Sequence, residues 1–210
     1  MVLSEPFLRK QGKAYLVFET TKSAYYRYSD GIIATLTKGS YIPVVGGAFF
    51  PFQEFPKCID CSFFSRLDFD IWYPKVESIN YVPEMEKYLR KLEIRVHEKL
   101  FEKLIYYLKH RKFENLVGFG PGLTPLGDDI LSGYLLVKAF YGERWDISMY
   151  RYKTTDLSYQ QLVEATNLLV PSPVKLFLET GETVEIENMG NTSGLGWLIG
   201  IALARRGFKC

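Results

Sequence analysis

Three cysteines and two histidines in 210 residues are all the thiol and imidazole this chain carries. So few thiols exclude a disulfide-stapled scaffold. Cys58 and Cys61 form a C-x-x-C pair, and Cys210 is the last residue. A zinc site at the pair would need two further ligands. His97 and His110 lie in one strongly helical stretch, roughly 20 Å apart along an intact helix at ~1.5 Å per residue. That separation argues against a Cys₂His₂ zinc site. A redox dithiol wants a strand-to-helix setting, and no helix signal follows Cys61. The pair reads as structural or incidental, with a local disulfide or a metal as the alternatives.

Other absences narrow the function further. No apolar run approaches the ~20 residues of a membrane span, and the start, MVLSEPFLRK, has no apolar signal core. A cytoplasmic protein without membrane attachment is expected. Charge is nearly balanced, 26 Lys and Arg against 24 Asp and Glu for a net +2. With no dense basic block, nucleic acid is not an expected partner. There is no G-x-S-x-G, and neither histidine lies near a nucleophile in sequence, so no triad can be built. The Walker pattern G-x-x-x-x-G-K-[ST] is missing, and no G-x-G-x-x-G sits in a β-α-β setting. A stand-alone small-molecule kinase is therefore the weakest of the enzyme readings. No internal repeat or low-complexity segment is visible.

Hydrophobic residues make up 47% of the chain, enough for a full core. The chain reads as β first and α second, hence α+β, with a β-rich part over 1–80 and a mainly helical part over 81–210. Ala14–Thr20, Ala24–Tyr28, Gly31–Thr37, Tyr41–Phe50 and Phe63–Tyr73 are runs rich in aromatic and β-branched residues. The turn signals Ser29-Asp30-Gly31 and Lys38-Gly39-Ser40 separate some of them, which predicts an antiparallel meander or small barrel. From Pro83 the period changes. Met85, Leu89, Leu92, Val96, Leu100, Leu104 and Leu108 recur at three or four, predicting one long amphipathic helix that closes near His110-Arg111-Lys112. Further helices are predicted at Asp129–Tyr141, Leu157–Val170 and Ser193–Arg206, with a short one near Val174–Glu179.

Gly118-Phe119-Gly120-Pro121-Gly122-Leu123-Thr124-Pro125-Leu126-Gly127-Asp128-Asp129 is the most informative stretch. Glycine and proline at this density fix an unusual backbone path. A glycine-rich turn at a helix start offers backbone N–H groups to an anion such as phosphate. The backbone of Gly120, Gly122 and Gly127 and the hydroxyl of Thr124 are the candidate anion cradle. Asp128 and Asp129 are candidates to hold Mg²⁺ or to act as base. Ordinary helix capping by one aspartate is the bland alternative.

Two other segments echo this one. Gly190-Asn191-Thr192-Ser193-Gly194 opens the last helix, where Asn191, Thr192 and Ser193 could grip an oxyanion or simply cap. Behind it Thr192, Gly196, Gly200 and Ala204 make a narrow small-residue face. Gly133 is a matching position on the helix after Asp129. If these two helices pack side by side, their leading loops share one mouth. Thr154-Thr155-Asp156-Leu157-Ser158 reads first as a helix cap. Its hydroxyls, Thr154, Thr155 and Ser158, are the alternative lining of the same pocket.

Gly120–Asp129 resembles, with one change in ten positions, the signature GPGLTPSGDD of a family long catalogued as a domain of unknown function. The Thr154-Thr155…Ser158 and Asn191-Thr192-Ser193-Gly194 segments resemble its later T-T-x-x-S and G-H-T-S-G segments, in the same order. Leu126 stands where the signature has Ser, Asn191 where it has His, and Gly196 where many members carry Asp. One member is a subunit of the oxamate carbamoyltransferase of anaerobic allantoin breakdown. The resemblance implies an enzyme subunit acting on a small anionic metabolite, by carbamoyl transfer involving phosphate, together with other subunits of a complex. A non-catalytic, metabolite-binding or regulatory subunit of such a complex is the rival reading.

Overall fold

The computed structural model describes residues 2–38, 44–49, 54–60 and 70–206. They fall into two compact units: Met1–Lys75 with Leu169–Ser172, and Val76–Leu168 with Pro173–Cys210. The protein is α+β, as the order of patterns in the sequence predicts. Among the described residues no helix is long and apolar enough to cross a membrane.

The first unit is a sheet of seven described strands: β1 Val2–Ser4, β2 Lys13–Glu19, β3 Ser23–Arg27, β4 Ile33–Thr37, β5 Gly47–Phe49, β6 Cys58–Asp60 and β7 Asp70–Trp72. Their order across the sheet is β6-β2-β3-β4-β5-β1-β7. The expected meander holds for β2-β3-β4, which pair antiparallel through short turns. The β2–β3 turn is tied by Thr20 Oγ1, which accepts from the Ser23 N–H at 2.9 Å. In the β3–β4 turn Asp30 Oδ1 accepts from the Ile32 N–H at 3.0 Å, and Gly31 takes φ +84°, a conformation costly for other residues.

Beyond the meander the sheet is mixed, because β5 runs parallel to β4 and β7 parallel to β1. A periodic pattern locates a strand and its buried face, but not its neighbour. The short strands β1 and β6 give no such pattern. Much of the expected strands at Tyr41–Phe50 and Phe63–Tyr73, together with Gly39, Ser40, Cys61 and Cys210, lies outside the described residues. A short helix, α1 Glu5–Leu8, follows β1 and brings Phe7 into a core with Leu3, Ala24, Tyr26, Leu36 and Ile59. The Tyr26 hydroxyl donates to the Pro56 carbonyl at 2.7 Å, which satisfies its polar end.

The second unit is helical: α2 Met85–Glu93, α3 Glu98–Lys109, α4 Leu126–Phe140, α5 Asp156–Thr166, α6 Ser172–Thr180, α7 Val184–Glu187 and α8 Ser193–Arg206. The single long helix predicted from Pro83 to His110 is in fact two. Ile94 closes α2, and His97, extended at φ −65° and ψ 139°, opens α3 with its Nδ1 accepting from the Lys99 N–H. An N-cap bond of this kind offsets the lost helical ones. The apolar spacing runs through the break unaltered, so periodicity alone could not reveal it. His97 and His110 cap the two ends of α3, far from each other as the spacing required.

Helices α4 and α8 form the centre of this unit. Every residue from Leu126 to Val137 is buried, as are Leu195, Trp197, Leu198, Ile199 and Ile201. Each such aliphatic side chain contributes about 1.5–3 kcal/mol by leaving water. The small-residue faces do meet. A Cβ on Gly200 would stand 2.0 Å from the Ile130 carbonyl oxygen, and one on Gly133 would stand 2.3 Å from that of Trp197. Only hydrogen fits at these two crossing points.

Candidate functional site

The glycine-rich loop is built to hold the start of α4. The Gly127 N–H donates to the Phe119 carbonyl at 2.8 Å, closing the loop on itself. Gly127 thus closes the loop with the amide that an anion would need. It must be glycine because a Cβ there would lie 1.9 Å from the Leu116 carbonyl oxygen. Gly120 and Gly122 take φ +107° and +108°. Among the described residues their amides meet no backbone acceptor. Pro121, Gly122 and Leu123 form the exposed tip, and Thr124 is half-buried.

Helix α4 begins earlier than the predicted Asp129. Its N-cap is Pro125, and Asp128 and Asp129 lie inside the first turn. Neither is a cap, and neither side chain reaches solvent: both are 0% exposed. Adjacent on a helix, they face different partners. Asp128 Oδ1 accepts from the Gly118 N–H at 2.9 Å, and its Oδ2 accepts a very short hydrogen bond from the Thr154 hydroxyl. Burial pushes the Asp128 carboxyl up, while Thr154, Gly118 and the nearby Ser158 hydroxyl pull it back down.

Asp129 Oδ1 accepts from Gln161 Nε2 at 2.9 Å, and the same amide donates to Ser132 Oγ at 3.1 Å. Asp129 Oδ2 and Ser158 Oγ are buried with no partner at hydrogen-bond geometry; the Ser193 and Ser158 hydroxyls lie near Asp129 and Asp128 respectively without closing such a bond. Burial raises the Asp129 carboxyl to about 7, against the pull of Gln161 and Ser193. Repulsion from Asp128, whose carboxylate is held by other partners, is the smallest contribution. Desolvation, not the adjacency that draws the eye in sequence, makes this group unusual.

Three helix N-termini converge on the loop. Thr155 caps α5, its Oγ1 accepting from the Ser158 N–H at 3.0 Å, and its hydroxyl donates to the Leu123 carbonyl at 2.6 Å. Thr124 Oγ1 and Ser193 Oγ lie 3.2 Å apart, joining the loop to the first residue of α8. The third start is that of α4 itself. Aligned N-termini concentrate partial positive charge, which favours an anion. Gly196 lies against the same place, since a Cβ there would stand 2.7 Å from that of Asp129.

Of the residues expected at the site, Asp128, Asp129, Thr124, Thr154, Thr155, Ser158 and Ser193 are brought together by these contacts. Thr192 is half-buried beside them, its carbonyl accepting from the Gly196 N–H. Asn191 is exposed at the rim, and its carbonyl accepts from Arg95 Nη1 at 2.8 Å. Gln161 and the Gly118 amide are the partners that sequence reading missed. Gln161 follows Ser158 by one helical turn, so the face of α5 that carries the hydroxyl also carries it. That spacing was the available signal.

Fold and site together define an α+β protein whose helical unit gathers three helix starts around a buried acidic pair. Residues 116–205 match the model of the family described as oxamate carbamoyltransferase subunit AllH. None of the curated proteins and none of the solved structures compared with it matches.

Proposed function

We propose that the chain is a subunit of a carbamoyltransferase-related complex and contributes the site for a small anionic substrate, with phosphate as one of its anions. The carrying observation is the fully buried Asp129, one oxygen of which has no partner, lying where the starts of α4, α5 and α8 meet. A carboxyl held out of water at this cost is not required by packing, and such groups concentrate at functional sites. In this reading the N–H groups of Gly120 and Gly122 and the hydroxyls of Thr124, Thr192 and Ser193 hold the anion. Asp129, poised near neutrality, exchanges a proton or a hydrogen bond with the substrate.

Mg²⁺ on the aspartates fits this donor set poorly. The ion keeps several waters, whereas both carboxylates are dry and carry hydrogen-bond donors from Gly118, Thr154 and Gln161. Among the described residues no group of three His, Cys, Asp or Glu could complete a metal site.

Calorimetric titration with phosphate and with carbamoyl phosphate tests the proposal. The wild-type chain is expected to bind. Ser193→Ala should bind about tenfold more weakly, the loss of one hydrogen bond to a charged group, with a melting temperature lower by only a few degrees for the Thr124 contact it also removes. Absence of binding by the wild type would sink the reading. The complete burial of both carboxylates favours a second reading, a metabolite-binding subunit without chemistry of its own. Turnover by the companion subunits alone, unchanged on adding Asp129→Asn in place of wild type, would select it.

A further inference from the structure

The break between α2 and α3 places Arg95 outside regular helix, exposed, and within reach of the segment that leads into α8. Its Nη1 donates to the Asn191 carbonyl at 2.8 Å and stands 3.5 Å from that of Glu187. The neighbouring turn of α2 adds a second tether, Lys91 Nζ to Glu187 Oε2 at 2.5 Å. Glu187 ends α7, and Asn191 lies two residues before Ser193, which begins α8 and meets Thr124 of the glycine loop. In the turn between them the Asn188 and Met189 N–H groups donate back to the Val184 and Ile186 carbonyls, each at 3.2 Å. Gly190 takes φ +63°, and the Gly194 N–H crosses back to the Met189 carbonyl at 2.9 Å.

We propose that Arg95 is a positioning residue: its guanidinium fixes the turn from Glu187 to Asn191, and through it the Ser193 end of α8 against the glycine loop. A charged donor on a backbone carbonyl is among the stronger hydrogen bonds, and it acts on the segment that turns at Gly190 into α8. The functional half of this inference rests on the anion-binding reading above. The structural half does not.

The test compares Arg95→Ala and Arg95→Lys with the wild type in the full chain. It reads hydrogen exchange at the Gly194 amide, phosphate affinity by calorimetry, and the melting temperature. Arg95→Ala should speed Gly194 exchange about tenfold and weaken phosphate by a similar factor, the worth of one charge-assisted bond. Its melting temperature should fall by only a few degrees, the same bond set against a chain of this size. Arg95→Lys should recover part of both effects, since an ammonium can reach the Asn191 carbonyl but lacks the fork. Unchanged Gly194 exchange in Arg95→Ala overturns the inference, as does faster exchange with unchanged phosphate affinity. If the wild type binds no phosphate, the anion reading is lost and Gly194 exchange alone decides: faster exchange supports Arg95 as the holder of the turn, and unchanged exchange refutes it.

Discussion

Replacing Asp129 with Asn should make the protein more stable above neutrality and less stable in acid. Asp129 is fully buried, and its carboxyl is raised from 3.8 to about 7. Below about pH 4 it is protonated in both folded and unfolded chains and costs nothing. Between about pH 4 and 7 the unfolded chain releases the proton and the folded chain keeps it. Stability therefore falls with rising pH across that window. Above about pH 7 both states are ionised and the penalty is constant, on the order of 4 kcal/mol at about 1.4 kcal/mol per pH unit.

The Asn variant carries no such penalty, but it has one of its own. Its carbonyl can accept from Gln161 as Asp129 Oδ1 does, which puts its amide where Oδ2 has no partner. An unpaired buried donor costs about 1–3 kcal/mol. The variant should thus exceed the wild type by about 1–3 kcal/mol at pH 8 and trail it by about 0–2 kcal/mol at pH 4.5, where the wild type already loses about 1 kcal/mol. Urea unfolding of both proteins at the two pH values measures this, and their difference cancels every other titrating group they share. A difference that is the same at both pH values would refute the assignment of a high pKa to Asp129.

Two further substitutions probe how the site is held. Gly200→Ala would put a Cβ 2.0 Å from the Ile130 carbonyl oxygen; forcing α4 and α8 apart should cost about 1–3 kcal/mol or more, and an unchanged melting temperature would show that the helices can slide. Thr154→Val keeps the shape but removes the hydroxyl donated to Asp128. It should lower stability at pH 8 by about 1–3 kcal/mol, with a smaller loss in acid, because a neutral carboxyl depends less on a donated hydrogen than a carboxylate does. A loss of equal size at both pH values would assign the effect to packing.

The sequence by itself determined the α+β order, because period two gives way to period three or four at Pro83 and local backbone preference follows it. It also pointed to a close pairing of α4 and α8 through the small residues Gly133, Gly196 and Gly200, which the crossing at Gly133 and Gly200 bears out. It marked the segment Thr154–Ser158 as a helix cap and Ser193 as the start of α8, both local matters of side chain and backbone. Tertiary structure decided the rest. The break at Ile94–His97 is invisible in a pattern whose apolar spacing never falters, and the parallel partners of β4 and β1 are choices among distant strands. The aspartates look in sequence like the exposed end of a loop. Three helices closing over them turn the pair into dry carboxyls, one satisfied by Gly118 and Thr154 and the other left with an oxygen unpaired. That distinction arises from burial and from partners 10 to 32 residues away, and no local pattern encodes how far a group will be from water once the chain has folded.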